Sequence, residues 1–162
     1  MSPIKSIYKS LVIQILFLVL LLASCSGDER GSQVSKIVPS IESIIEQGKK
    51  AENSMKFSLL SLSVLEWDKL YFFGPYTPTI DIEKKIGAIN SAVKEINIEV
   101  RDDINLLIFM EKNTIVAAVP YPRHKADFSR ITSGTGVLKK ESFFVITEST
   151  GEQKWLYIEL AR

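Results

Sequence analysis

Residues 104–110 (INLLIFM) constrain the fold more than any other segment, because consecutive apolar residues in a strand cover both of its faces. A second apolar stretch, residues 114–119 (TIVAAV), follows after the polar turn 111–113. This pattern predicts an antiparallel hairpin. Strands with two apolar faces are usually covered on both of them. We therefore expect helices on one face and, on the other, sheet curvature, the loops of residues 120–140 or a partner protein.

Runs of β-branched and aromatic residues indicate four further strands. They span roughly residues 56–63, 67–73, 142–147 and 154–160. Few helical patterns lie between these segments and the hairpin, so strands mostly follow strands along the chain. This order is typical of an α+β protein. We predict an α+β fold with one or two short helices packed on an antiparallel sheet of about five or six strands.

Two helices are indicated by apolar residues that recur at helical spacing. The first carries an isoleucine face formed by Ile37, Ile41, Ile44 and Ile45. We expect Pro39 in its first turn and Gly48 near its end. The second begins at Thr79 as the N-cap and continues to Gly87, whereas residues 88–97 favour neither state.

Residues 1–24 have the three parts of a secretory signal. Lys5 and Lys9 precede an apolar run from Leu11 to Ala23, which is broken only by Gln14. A membrane-spanning helix needs about 20 apolar residues, so this run is too short to be one. We therefore expect residues 1–24 to be a signal peptide.

The run ends in Leu22-Ala23-Ser24-Cys25, which resembles the lipobox of bacterial lipoproteins at all four positions. The resemblance implies that the Cys25 sulfur receives a diacylglyceryl group and that the chain is cut between Ser24 and Cys25. Cys25 is the single cysteine of the chain, so it has no disulfide partner; the alternative is a free thiol after an ordinary signal. The resemblance also implies a location for the protein. Ser26, rather than Asp, follows the cysteine. In a Gram-negative host the resemblance therefore implies the periplasmic face of the outer membrane, and in any other host it implies the cell membrane.

The remaining chain reads as a tether followed by one domain. Residues 25–36 are polar after the acylated cysteine and predict a flexible tether, and residues 37–162 have the length of a single α+β domain. Loss of Lys5 and Lys9 makes the net charge slightly negative, which argues against nucleic acid as a partner. The domain must be held together by packing and hydrogen bonds, because its chain contains no disulfide.

Residues 67–77 (WDKLYFFGPYT) resemble a WD…Y.F.PYT pattern found in small exported bacterial proteins and lipoproteins of uncharacterised role. The resemblance implies no activity. Alternation along the strand predicts that Trp67, Tyr71 and Phe73 share one face, either as core or as an aromatic binding groove. Asp68 is expected on the opposite face, where it would cap the following turn or pair with a basic side chain.

His124 is the single histidine, and the positive charges of Arg123 and Lys125 beside it would repel a metal ion. No Gly-x-Ser-x-Gly motif accompanies it, so the sequence predicts neither a hydrolase triad nor a metal site, and no cofactor. The basic cluster of Arg123, His124, Lys125 and Arg130 is expected to form a solvated loop face or to bind an anion or an acidic partner. Residues 133–136 (SGTG) lack the lysine of a phosphate loop and are expected to form a mobile loop.

Two functions fit these observations. The first, which we favour, is a membrane-anchored envelope lipoprotein that binds another protein without catalysis, with an immunity or inhibitor role as a special case. Its candidate binding surface consists of Trp67, Asp68, Tyr71, Tyr76, Arg123 and His124. The second is a small hydrolase or small-ligand binder with a pocket formed by Asp68, Tyr71, Tyr76 and His124. The second function requires these four side chains to converge.

Overall fold

The computed structural model describes residues 28–51, 55–87, 89–150 and 154–161. The predicted signal peptide, its cleavage site and Cys25 lie outside these residues. The chain divides into two compact units, Met1–Ser32 and Gln33–Arg162. Of the first unit the structure describes only residues 28–32, which are helical.

The described residues have an α+β fold, as predicted. The helices are α1 (Asp28–Lys50), α2 (Thr79–Ile86) and α3 (Ser91–Ile96). The strands are β1 (Lys56–Ser58), β2 (Lys69–Phe73), β3 (Ile104–Glu111), β4 (Thr114–Pro122), β5 (Thr135–Leu138), β6 (Phe143–Glu148) and β7 (Leu156–Leu160). They form two antiparallel sheets rather than one, a three-stranded sheet in the order β1-β6-β7 and a four-stranded sheet in the order β4-β3-β2-β5.

The four-stranded sheet is covered on both faces, as the apolar pattern of β3 predicts. On one face, Leu107 and Phe109 belong to a large core that also contains residues of α1 and of the three-stranded sheet. On the other face, Leu106 and Ile108 belong to a small core under α2 and α3. The face expected to need sheet curvature, loops or a partner is the one in the large core, where α1, the three-stranded sheet and loop residues such as Phe128 cover it.

Helix α1 is longer than the isoleucine pattern indicates. It begins at Asp28, so the predicted tether overlaps the helix from Asp28 to Lys36, and Pro39 lies inside the helix rather than in its first turn. Once the isoleucine face is buried, extending a helix costs little, because the unfavourable step is nucleation. Near the proline, the Ser40 hydroxyl donates a hydrogen bond of 2.9 Å to the Lys36 carbonyl.

Gly48 lies in the last turn of α1, which ends at Lys50, as predicted, and it is also a contact residue. The Met55 carbonyl accepts a hydrogen bond from Ile146 N–H at 2.6 Å. Because bonding directions alternate along a strand, the carbonyl of the next residue, Lys56, points to the free edge of β1. A Cβ at Gly48 would lie 2.6 Å from that oxygen. Helix α1 therefore covers the edge only because residue 48 has no side chain.

Strand β5 was not predicted, because residues 133–136 have the composition of a loop. Residues 135 and 136 instead pair with β2, and Gly136 lies opposite Tyr71. A Cβ at Gly136 would lie 2.7 Å from the Tyr71 ring, so the glycine leaves room for that ring. The expectation of a mobile loop is therefore wrong for Thr135 and Gly136.

The predicted strand at residues 56–63 is shorter than expected. Strand β1 ends at Ser58, whose hydroxyl accepts a hydrogen bond from Leu60 N–H, and residues 59–61 form a 3-10 turn. The strands predicted at 67–73, 104–110, 114–119, 142–147 and 154–160 are present with small shifts of their ends.

The two helices over the small core begin differently from the prediction. Thr79 is the first helical residue of α2, and its backbone N–H donates to the Glu99 carboxylate instead of being capped locally. In α3, which lies in the unassigned region 88–97, the Asn90 side chain accepts from Val93 N–H at 3.1 Å. Both helix starts are thereby satisfied by polar side chains.

Candidate functional site

The β3–β4 hairpin keeps the candidate site residues apart. Asp68 lies at the turn end, where its carboxylate accepts a hydrogen bond of 2.8 Å from Lys112 N–H. His124 follows β4 at the other end, next to Arg123, whose N–H donates to the Asp103 carbonyl at 2.9 Å. The eight residues of β3 separate these ends by roughly 20 Å or more. The structure therefore does not bring Asp68 and His124 into one pocket.

Trp67 is a core residue. It is 3% exposed and packs edge-on against Phe109, with ring centroids 5.3 Å apart. Tyr71 and Phe73 instead face the small core, where their rings are stacked 6.4 Å apart. The prediction that these three aromatic residues share a strand face is wrong, because β2 begins at Lys69 and the chain bends just before it.

Arg123 and Asp127 form an ion pair in which the carboxylate is fully buried and the guanidinium is partly exposed. The Arg123 Nε and Nη2 atoms donate to Asp127 Oδ2 at 3.0 and 2.8 Å. Asn105 Nδ2 and the Ser129 N–H donate to the other carboxylate oxygen, at 3.2 and 2.8 Å. Asp127 is 0% exposed. The prediction of a solvated face is therefore wrong for Arg123, because its planar guanidinium turns inward to satisfy the buried Asp127 carboxylate.

This ion pair joins the two sheets. Asn105 belongs to β3 of the four-stranded sheet. The Asp127 backbone bonds to β7 of the three-stranded sheet, its N–H donating to the Leu156 carbonyl at 2.7 Å and its carbonyl accepting from Ile158 N–H at 2.8 Å. Since both carboxylate oxygens are already bonded, Asp127 has a structural role and is not placed to act on a substrate.

Each member of the ion pair favours the ionised form of the other. Burial raises the pKa of Asp127, but the hydrogen bonds from Arg123, Ser129 and Asn105 outweigh it and hold the pKa below its ordinary value. The same contact with Asp127 raises the pKa of Arg123. Both groups are therefore ionised at neutral pH.

The remaining basic residues of the loop do not converge on an anion. His124 is exposed. The Lys125 ammonium pairs with Glu42 of α1. Arg130 Nη1 donates to Glu159 at 2.6 Å, and its guanidinium lies 4.0 Å from the centre of the Tyr157 ring. Because these cations point to different partners, they form no common anion site.

Tyr121 lines a pocket of about 190 Å³ together with Glu42, Ile45, Glu46 and Lys125. Its buried hydroxyl has no hydrogen-bond partner among the residues that the structure describes. Burial, with a smaller contribution from Glu42, raises the pKa of Tyr121. The hydroxyl is therefore neutral at physiological pH and is not available as a base.

Tyr76 is the aromatic residue of the predicted binding surface that the structure leaves exposed, as it also does Asp68 and His124. It is 59% exposed and has a φ of 60°, in the left-handed region that few residues other than glycine adopt. Its N–H donates to the carbonyls of Ile98 and Arg101, at 3.2 Å each. The strained turn at Tyr76 is therefore held by the neighbouring segment that runs from Ile98 to Arg101.

Two further large apolar side chains are exposed on the segments bonded to this turn. Ile80 is 55% exposed and follows Thr79, whose N–H donates to Glu99. Val100, which follows Glu99, is 70% exposed. We call Tyr76, Ile80 and Val100 the turn surface. The sequence pointed to Tyr76 but not to the other two. Ile80 could have been noticed, because it lies off the helical face of Ile82 and Ile86, whereas no local pattern marks Val100.

Among the residues that the structure describes, no helix is long and apolar enough to cross a membrane, and no group of three or more His, Cys, Asp or Glu residues is placed to hold a metal ion. No protein-family model, no curated protein and no solved structure matches this chain.

Proposed function

We propose that this protein is a membrane-anchored envelope lipoprotein whose domain binds another protein through the turn surface, without catalysis. The anchor is proposed from the lipobox at residues 22–25. In a Gram-negative host it would hold the domain at the periplasmic face of the outer membrane. Two or three acyl chains on Cys25 would make membrane release negligible, since each buried methylene contributes about 0.8 kcal/mol.

The observation that carries the binding proposal is the exposed Tyr76 on a fixed, left-handed backbone. A left-handed non-glycine residue costs roughly 1–2 kcal/mol, so the fold must hold it there. Tyrosine combines a large apolar ring with a polar hydroxyl and is enriched at protein interfaces. With Ile80 and Val100 exposed beside it, the turn surface has the composition of a binding patch.

The anchor is tested by expressing Cys25→Ser and separating membranes from soluble protein. The variant is expected to lose the lipid-dependent gel mobility and to leave the membrane fraction. In a Gram-negative host, density-gradient separation would find the unsubstituted protein in the outer membrane. Unchanged membrane association and unchanged mobility of the variant would contradict the lipoprotein proposal.

The binding surface is tested by crosslinking in native membranes. Tyr76→Asn removes the ring but keeps a residue that tolerates positive φ, and Val100→Ser removes an exposed side chain. Both are expected to lose a crosslinked partner that the unsubstituted protein retains. Leu60→Ser is the matched control, because Leu60 is also exposed, at 46%, but lies outside the turn surface. Crosslinks that survive both substitutions, or monomer alone in every sample, would contradict the proposal.

A further inference from the structure

A second pocket, of about 540 Å³, lies where β1 and β6 meet the end of β7. It is lined by Lys56, Phe57, Phe143, Phe144 and Ala161. This volume is within the range of small-molecule sites, about 300–1,000 Å³. The pocket is distant in sequence from the turn surface and is not used by the proposed protein binding.

The lining of the pocket is mostly apolar. The rings of Phe57 and Phe144 are stacked 5.1 Å apart and lie on the core face of the three-stranded sheet. Phe143 comes from the opposite face of β6 and is 46% exposed, so the pocket is reached from solvent. Ala161 adds only a methyl group. Such a wall offers van der Waals contact to a hydrocarbon chain and few hydrogen bonds to a peptide.

Lys56 supplies the single charge among the described residues of this lining. Lys56 lies opposite Val145 of β6, and every second residue of a strand points to the same face of the sheet. Lys56 therefore lies on the same face as Phe143, two residues before Val145. Among the described residues Lys56 has no ion-pair partner, whereas two other lysines, Lys49 and Lys154, each pair with a carboxylate. A cation beside an apolar pocket complements a ligand with one anionic end and one apolar chain.

We propose that this pocket binds the acyl chain of a free fatty acid, with the carboxylate at Lys56. The apolar side chains of the lining contact the hydrocarbon, and the ammonium pairs with the carboxylate at the mouth of the pocket. A cationic amphiphile of the same length lacks this pairing and is repelled by Lys56. A neutral alcohol keeps only the apolar contacts.

The test uses the full chain in native membranes and a photoreactive fatty acid. Mass spectrometry after illumination is expected to place crosslinks in peptides that contain Phe57, Phe143 or Ala161. Dodecanoate should compete with the probe, dodecanol more weakly, and dodecyltrimethylammonium hardly at all. Lengthening the competing acid by two methylenes should improve competition on the order of tenfold until the pocket is full.

Three substitutions sharpen this test. Lys56→Gln is expected to reduce competition by dodecanoate severalfold and to leave that by dodecanol unchanged. Phe143→Ser should abolish labelling of the pocket peptides; Phe143 is largely exposed, so the fold is retained. Lys84→Gln, which removes an exposed lysine of α2, should change nothing. Labelling confined to residues 1–25, labelling spread evenly over the chain, or equal competition by the cationic amphiphile would overturn the proposal.

Discussion

The Asp127 carboxylate is fully buried, and Arg123, four residues before it, donates two hydrogen bonds to one of its oxygens. Arg123 also donates to the Asp102 carbonyl at 2.7 Å, which ties the end of β4 to the start of β3. A buried ion pair is costly to desolvate, and removing one partner leaves the other groups unsatisfied. The relationship makes the stability of the two-sheet fold depend on one carboxylate.

Asp127→Ala is expected to lower the free energy of unfolding by about 3–5 kcal/mol, because Arg123, Asn105 and Ser129 lose their acceptor. The measurement is a urea titration followed by circular dichroism. Asp103→Ala is the matched control, since the Arg101–Asp103 pair is exposed and such pairs contribute about 0–1 kcal/mol. Equal losses in the two variants would show that the buried pair has no special role.

Stability is expected to fall in acid through Asp127. Its folded pKa is below the unfolded value of about 3.9, so its contribution is present above that pH and is lost as the pH falls through the folded pKa. Urea midpoints of the unsubstituted protein should decline between pH 6 and pH 3, a range that includes the unfolded pKa of about 3.9. Asp127→Asn should show a shallower decline from a lower starting value. A parallel decline in both would mean that other carboxyl groups cause it.

Gly48→Ala is expected to destabilise the protein by about 1–3 kcal/mol, because the new Cβ would meet the Lys56 carbonyl at 2.6 Å. Helix propensity alone predicts the opposite sign, a gain of about 1 kcal/mol. Gly74→Ala is the control, because nothing lies within 4 Å of a Cβ there. Urea midpoints distinguish the two effects. A stabilised Gly48→Ala would show that α1 does not closely cover the β1 edge.

Gly136→Ala is expected to cost about 1–2 kcal/mol through overlap with the Tyr71 ring. In a Tyr71→Ser background the same substitution should cost much less, and a double-mutant cycle measures this coupling. In a Lys69→Ala background the cost should persist, because the end of the Lys69 side chain can move away. Strict additivity between positions 71 and 136 would contradict the contact.

Much of the architecture was predictable where burial repeats along the chain. The apolar residues on both faces of β3 predicted a strand covered on both faces, and the isoleucine spacing predicted the packed face of α1. Such patterns are local, because alternation and helical periodicity are properties of neighbouring residues. Contacts with distant segments were not predictable in this way: Gly48 was correctly placed near the helix end, but its contact with the Lys56 carbonyl was not foreseen.

The candidate site was less predictable than the fold. Tyr76 was identified from its turn, but the prediction that Trp67 shares a strand face with Tyr71 and Phe73 was wrong, because a bend before β2 changes the alternation. Asp127 looked solvated in a polar loop, although its partner Asn105 lies 22 residues earlier in the chain. Nothing in the segment around a polar residue reveals a hydrogen-bond partner from another strand.

By itself the sequence determined the α+β class, the central hairpin and which faces are apolar, since these follow from the order of apolar and polar residues. The tertiary structure alone decided that the strands divide into two sheets, that β5 pairs with β2, and that Arg123 and Asp127 turn inward to join the sheets. Those outcomes depend on shape and hydrogen-bond geometry between segments far apart in the chain, which no local pattern encodes.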